Sequence, residues 1–192
     1  MAGASLWLLP PADHPLHSVL TELIKKVSAH FHSPHLFLPH VTLTSDISPS
    51  SYASDPHKWL EEVEFPPGTE VKVEFRRLQS EDVFVRKLYI KVEKTGVSDI
   101  GRAARKMVEG FEDGEAANQC AEEKYAPHLS LLYHDCPRVD DDEIAKIEQL
   151  VQEAGVSLAG EGELGGWVGG RVVLVPTDRP IKEWAPLTEK KL

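Results

Sequence analysis

Cysteine is nearly absent from this chain. Cys120 and Cys136 are the only two among 192 residues, too few for the disulfide framework that holds a small secreted domain. They read as reduced thiols. Long apolar runs are also missing. Nothing approaches the roughly 18 consecutive apolar residues that cross a bilayer, so no membrane span is expected. The opening stretch from Met1 to Pro10 lacks a positive n-region, and its apolar run is too short for a signal peptide. These absences predict a soluble, intracellular chain. Positive charge is the third deficit: 21 Lys and Arg face 31 Asp and Glu, a formal charge of −10. No basic stripe with interleaved aromatics offsets that field, so long RNA or DNA is excluded as a partner by repulsion. A small phosphate-bearing ligand held by a local cluster is still allowed.

Two further ligand signatures are incomplete. His30, His32 and His35 straddle a predicted helix end and Pro34, with no cysteine or carboxylate close in sequence, so a solvated helix end explains them and no metal is expected. Gly165-Gly166-Trp167-Val168-Gly169-Gly170-Arg171 lacks the Lys-Ser/Thr ending of a P-loop and reads as a turn or bulge in a hairpin.

What the chain does contain is a phrase written twice. Pro39-His40-Val41-Thr42-Leu43 and Pro127-His128-Leu129-Ser130-Leu131 share the form Pro-His-aliphatic-hydroxyl-Leu, one in each half. Composition alone supplies roughly one chance His-x-Ser/Thr; here there are two, and the flanking Pro and Leu match as well. On a strand, residues i and i+2 share a face. Each copy therefore presents an imidazole beside a hydroxyl, while Val41, Leu43, Leu129 and Leu131 turn to the other face and can bury. Two such strands facing each other supply a general acid, a general base and two oxyanion donors.

Around these phrases the pattern alternates between period 2 and period 3.6. Leu6–Leu9 reads as a strand and His14 to Phe31 as an amphipathic helix, followed by the motif strand Val41–Thr44 and a helix from Pro49 to Glu62. Val71, Val73 and Phe75, then Val83, Val85, Leu88, Ile90 and Val92, read as a hairpin. A helix from Ser98 to Phe111 follows, then a polar link from Glu112 to Lys124 and the second motif strand. Asp140–Glu143 opens another helix, its acidic first turn complementing the dipole. Strands near Val172–Val175 and Ile181–Trp184 close the chain. The order predicts one α+β domain, residues 1–192, with antiparallel sheets and an approximate internal duplication.

The paired phrases resemble the H-x-[T/S]-x signature of the two-histidine phosphoesterase superfamily. Trp7 followed by Leu9-Pro10, the string Pro127 to Tyr133, and Arg171 to Thr177 with Trp184 are similar to its cyclic phosphodiesterase branch of plants and fungi. The resemblance covers nearly the whole chain. It implies a bilobal, pseudo-twofold fold of two antiparallel-sheet lobes with helices outside, one motif strand per lobe lining a central cleft. It further implies opening of nucleoside 2′,3′-cyclic phosphates to 2′-phosphates, and of ADP-ribose 1″,2″-cyclic phosphate, a tRNA-splicing by-product, to ADP-ribose 1″-phosphate. No cofactor or metal is implied, a monomer is expected, and fungal members suggest a Golgi association. His128 is assigned as the base that activates water and His40 as the acid. Thr42 and Ser130 would donate to non-bridging phosphate oxygens, and Tyr133 and Trp7 match family positions that approach the phosphate or base; Phe84, an aromatic on the predicted hairpin with no counterpart in the resemblance, is a further candidate to contact the nucleoside. On a strand continuing past Leu132, Tyr133 would face away from Ser130 unless the strand end turns it inward. Two alternatives stay open: a 2′,5′-phosphodiesterase or RNA ligase of the same fold, and a nucleotide-binding module without turnover.

Overall fold

The computed structural model describes residues 3–52 and 54–192. Eight strands form one curled antiparallel sheet: β1 (Ala4–Leu9), β2 (Val41–Ile47), β3 (Lys72–Gln79), β4 (Leu88–Val92), β5 (His128–Leu132), β6 (Gly166–Val168), β7 (Arg171–Pro176) and β8 (Thr188–Lys191). Their order is β6-β3-β4-β5-β2-β1-β7-β8. The helices are α1 (Leu16–His30), α2 (Pro49–Tyr52), α3 (Pro56–Glu62), α4 (Ser98–Arg105), α5 (Gly114–Glu123) and α6 (Asp141–Glu153). The α+β class and the antiparallel pairing match the sequence expectation. The strands make one continuous sheet, however, because β2 and β5 pair directly at Val41 and Leu129.

The curl follows from chain length. β6 is one edge of the sheet, and β7 lies next to the other edge. Only Gly169 and Gly170 separate them, and three residue steps reach at most about 11 Å. The two ends of the sheet must therefore approach. Gly169 N–H donates to Val71 O and Leu192 N–H to Gly170 O, tying them together. At Gly170, with φ +119°, a Cβ would lie 2.4 Å from Leu9 O, so only glycine fits this crossing. The glycine-rich segment is thus a bridge between sheet ends, and not a turn within a hairpin.

Strand alternation sorts side chains into two environments. Leu6, Leu8, Val41, Leu43, Leu129 and Leu131 enter the large core with Leu16, Leu20, Leu23, Ile24 and Val27 of α1. Trp7, Leu9, Val173 and Val175 form a separate cluster with Leu38 and Trp184. Burying a large aliphatic side chain contributes about 1.5–3 kcal/mol, so the motif strands are pinned by their aliphatic face and their polar face is left for chemistry.

Several elements differ from the sequence reading. The predicted 49–62 helix is two helices, because Asp55 is extended and caps α3 by accepting from Lys58 N–H at 3.0 Å, with Pro56 at the first turn. Val83 and Val85 are not in a strand: residues 81–86 close a loop through Glu81 N–H to Arg86 O and Arg86 N–H to Val83 O. The helix predicted to Phe111 ends at Arg105, and the predicted link holds α5, capped by Asp113 and buried only through Ala117 and Ala121. Ile181–Glu183 is a 3₁₀ turn, and the last strand is β8. No helix among the described residues is long and apolar enough to cross a membrane.

Candidate active site

Each repeated phrase begins X-Pro-His, and this fixes the imidazole locally. Proline holds the preceding residue extended and offers no N–H of its own. The carbonyl of that preceding residue then takes the histidine's Nδ1: Leu38 O lies 2.6 Å from His40 Nδ1, and Ala126 O lies 2.9 Å from His128 Nδ1. A carbonyl only accepts, so Nδ1–H donates in both cases and each Nε2 is the proton-exchanging atom. The Val41–Leu129 pair lies between the two phrases. Carrying that antiparallel register one residue each way sets His40 across from Ser130 and Thr42 across from His128. The histidine of one phrase thereby meets the hydroxyl of the other on one sheet face.

That face opens into a cleft of about 310 Å³ lined by His40, His128, Thr42, Trp7, Tyr133 and Trp184, among others, a volume that suits a small ligand. His40 is the deeper histidine, 4% exposed. Its ring stacks on Trp7 at 3.7 Å and 9°, and its Nε2 is 3.5 Å from the Tyr133 hydroxyl. Burial lowers its pKa to about 3, with the facing His128 acting in the same direction and the Leu38 carbonyl opposing. His128 is half-buried and is also lowered, first by desolvation; the Ala126 carbonyl and Glu81 favour its charged form while Arg86 opposes it. Tyr89 meets the His128 ring edge-on at 5.1 Å and donates to Glu81 Oε1 at 2.6 Å, and Glu81 Oε2 pairs with Arg86 at 2.9 Å.

The sequence candidates divide. His40, His128, Thr42, Trp7 and Tyr133 all line the cleft. β5 ends at Leu132, which lets Tyr133 turn inward, stacked on Phe37 at 3.8 Å, and burial raises its pKa. Ser130 does not line the cleft: it is buried and its hydroxyl donates to Val85 O at 2.8 Å. Phe84 also stands outside, against His35 at 5.3 Å and Tyr133 at 6.2 Å, because the 3₁₀ turn Phe84–Arg86 directs Val85 and Arg86 to the cleft instead. Sequence reasoning missed Ser5, Thr177, Arg105 and Lys124, which line one end. Ser5 is two residues before Trp7 and shares its strand face, a signal that was legible; Arg105 and Lys124 arrive from α4 and the end of α5, which no local pattern ties to the motif strands. The three histidines considered for metal are dispersed, His30 pairing with Glu143 at 2.6 Å. Among the described residues no group of three or more His, Cys, Asp or Glu could hold a metal ion.

The cleft has one more property. The chain carries an excess of ten negative charges, yet among the described residues no Asp or Glu lines this cleft, while Arg86, Arg105 and Lys124 do. Two neutral-to-cationic imidazoles, aromatic walls and a carboxylate-free lining suit an anionic, ring-bearing ligand.

The chain is similar over its length to several known proteins. A 2',3'-cyclic-nucleotide 3'-phosphodiesterase of Phaeosphaeria nodorum is 53% identical over 193 residues, covering the whole of both chains. One of Neurospora crassa is 38% identical over 213 residues, again covering both throughout. One of Yarrowia lipolytica is 28% identical over 221 residues, 96% of this chain and 97% of that one. Residues 1–192 match the family described as cyclic phosphodiesterase-like protein, and the chain belongs to that family.

Proposed function

We propose that this protein hydrolyses nucleoside 2′,3′-cyclic phosphates to nucleoside 2′-phosphates without a metal ion, and that it also opens the cyclic phosphate of ADP-ribose 1″,2″-cyclic phosphate, in a role linked to tRNA-splicing by-products. The observation that carries the reading is the pair of imidazoles at one cleft, each tautomer set by its own i−2 carbonyl so that Nε2 is the proton-exchanging atom, with the Tyr133 hydroxyl 3.5 Å from that of His40. The names of the fungal relatives support the same substrate class. A bilobal reading fits the strand order, four strands on either side of the β5–β2 junction.

Opening a cyclic phosphate by water takes one neutral imidazole to accept a proton and one imidazolium to protonate the leaving 3′ oxygen. Burial favours His40 as the neutral base, because its charged form is the harder to hold, and leaves His128, beside Glu81, as the acid. This reverses the assignment drawn from sequence. The bound phosphate anion supplies the counter-charge that raises the acid into its protonated form. Thr42 donates to a non-bridging oxygen, where negative charge persists through the transition state. Ser130 joins it by rotating its hydroxyl away from Val85 O, and Tyr133 donates from the His40 side. Trp7 and Trp184, 5.9 Å apart and inclined at 64°, offer apolar walls to the base. Every residue in this scheme comes from one chain, so a monomer suffices.

The test is incubation with each 2′,3′-cyclic nucleotide and with ADP-ribose cyclic phosphate in EDTA, with identification of the product isomer. Turnover to the 2′-phosphate is expected, with His40→Ala and His128→Ala each lowering kcat by about 10²–10⁴-fold. No turnover of any of these substrates sinks the reading, and a 3′-phosphate product reverses the leaving group.

A further inference from the structure

Strand β4 turns Leu88, Ile90 and Val92 into the core, so Tyr89 and Lys91 between them lie on the face that carries the chemistry. In the β4–β5 register Tyr89 stands across from Ser130 and Lys91 across from His128. Tyr89 is therefore a diagonal neighbour of His128, a separation that aromatic side chains bridge. Its ring meets the imidazole edge-on at 5.1 Å. The hydrogen bond from Nδ1–H to Ala126 O fixes one ring atom and leaves Nε2 able to swing about it. Tyr89 closes that arc. It is the only ring packed edge-on or stacked on His128 among the described residues, whereas His40 has Trp7, Phe37 and the Tyr133 hydroxyl.

What holds Tyr89 is a braced loop. Its hydroxyl donates to Glu81 Oε1 at 2.6 Å, and Arg86 Nη2 donates to Glu81 Oε2 at 2.9 Å. Residues 81–86 are clipped by Glu81 N–H to Arg86 O, and the buried Lys87 Nζ pairs with Asp82 at 2.7 Å. Ser80 Oγ donates to Lys87 O at 2.6 Å and accepts from Val139 N–H at 2.9 Å. The same loop supplies Val85 O, which takes the Ser130 hydroxyl. One loop thus braces both polar residues of the second phrase, Ser130 directly and His128 by way of Glu81 and Tyr89. Burial and then the bond to Glu81 push the pKa of the Tyr89 hydroxyl up to about 12, so it stays a donor wherever a histidine pair works.

We infer that Tyr89 and Glu81 are positioning residues for His128, the Tyr89 ring aiming Nε2 at the leaving oxygen and Glu81 holding that ring through its hydroxyl. This rests on the cyclic-phosphodiesterase reading for the role of His128 as acid. Glu81 has a second effect, because its carboxylate favours the imidazolium. The other charged and titratable groups around His128 are Arg86 from the loop, Lys91 from β4, His40 from β2, and Lys124 and Tyr125 after α5. Glu93 and Lys94 line a groove shared with His128, but Glu93 is paired with Arg76 at 3.2 Å. Of the two carboxylates, Glu81 is the one joined to the His128 ring through a contact.

The experiment measures Tyr89→Leu, Tyr89→Phe and Glu81→Gln on 2′,3′-cyclic AMP and on the same nucleotide with sulfur at the 3′ bridging position, whose thiolate leaves without an acid. Tyr89→Leu should lower kcat on the oxygen substrate by about 10- to 100-fold with KM little changed, the loss expected of a misplaced group. On the sulfur substrate it should run close to the wild-type rate. Tyr89→Phe, which keeps the ring and its packing, should lose less than about tenfold. Equal losses of Tyr89→Leu on the two substrates, or no loss on either, overturn the inference. Glu81→Gln should carry the alkaline limb of kcat/KM to lower pH by about half a pH unit, since the imidazolium loses the carboxylate behind Tyr89. An unmoved limb overturns the role of Glu81. A titration of the His128 ring by NMR, its signal identified by loss in His128→Ala, is independent of turnover. Its midpoint should fall by the same amount in Glu81→Gln, and an unchanged midpoint overturns the inference even if the protein hydrolyses nothing.

Discussion

At the scale of single residues, the two histidines look interchangeable in sequence and are not so in the structure. His40 is sandwiched against Trp7 and nearly enclosed, with its pKa lowered to about 3; His128 is half-buried and faces Tyr89 and the Glu81 carboxylate behind it. The asymmetry makes a prediction that separates acid from base. In a cyclic substrate with sulfur replacing the 3′ bridging oxygen, the thiolate leaves without protonation, so the general acid becomes dispensable while the general base does not. His128→Ala should recover most of its lost activity on that substrate, to within about tenfold of wild type, and His40→Ala should remain 10²–10⁴-fold down. Rescue of His40→Ala instead would restore the assignment drawn from sequence. That each phrase turns an imidazole to one sheet face, with Nδ1 held by the carbonyl before its proline, is local, and period 2 sets the face. The depth of each histidine could not be read from the phrase, because it depends on Trp7 from β1 and Tyr133 from beyond β5. Ser130 shows the same limit: its face was legible, but not the Val85 carbonyl that holds its hydroxyl.

Among the elements, α5 is where local pattern and tertiary structure part most clearly. Its buried positions are Ala117 and Ala121, too small to mark an apolar stripe, and the segment reads as polar. Its partner α4 carries Gly101, and a Cβ there would lie 2.7 Å from Tyr125 Cε1 and 2.9 Å from Cζ. The missing side chain lets the Tyr125 ring pack against α4. Tyr125 precedes Ala126, whose carbonyl holds His128 Nδ1, so the helix contact is one residue from the carbonyl that orients the His128 ring. Gly101→Ala gains about 1 kcal/mol of helix propensity but overpacks a rigid ring, costing about 1–3 kcal/mol. The second effect wins: Tm should fall by roughly 2–6 °C, and kcat should fall with it as Ala126 shifts. Gly114→Ala, whose Cβ would meet only the flexible end of Lys106 at 3.8 Å, is the control and should not lower Tm. Equal Tm values for the two variants, measured by thermal unfolding, would remove Gly101 from any role in placing His128. The strands were read better than the helices for a related reason. β1 and β5 bury an aliphatic side chain at every second position, and β2 does so at Val41, Leu43 and Ile47, whereas β8 is an edge strand of Thr188, Glu189, Lys190 and Lys191 whose polarity conceals it.

Over the whole molecule the charge is arranged in opposition to its cleft. The chain has an excess of ten negative charges, yet among the described residues the cavity is lined by three Arg and Lys cations and no carboxylate. A small substrate carrying one or two phosphates places them inside the cavity, within reach of Arg105, Lys124 and the histidines. Each additional phosphate of a longer nucleic acid must lie outside, in the field of the acidic surface, which reaches about 8 Å at physiological ionic strength. Length should therefore be penalised once the cleft is filled. For oligonucleotides ending in a 2′,3′-cyclic phosphate, kcat/KM should fall with each nucleotide that extends beyond the cleft. Raising the salt to about 0.5 M should recover part of that loss for the long substrates, because screening weakens repulsion between exposed charges more than contacts inside a cavity. The opposite slope, with long RNA favoured at low salt and released as salt rises, is the signature of phosphate neutralisation by a basic groove. Observing it would mean that an RNA-binding face exists despite the net charge, and would move the protein toward the RNA-processing alternative on the same fold.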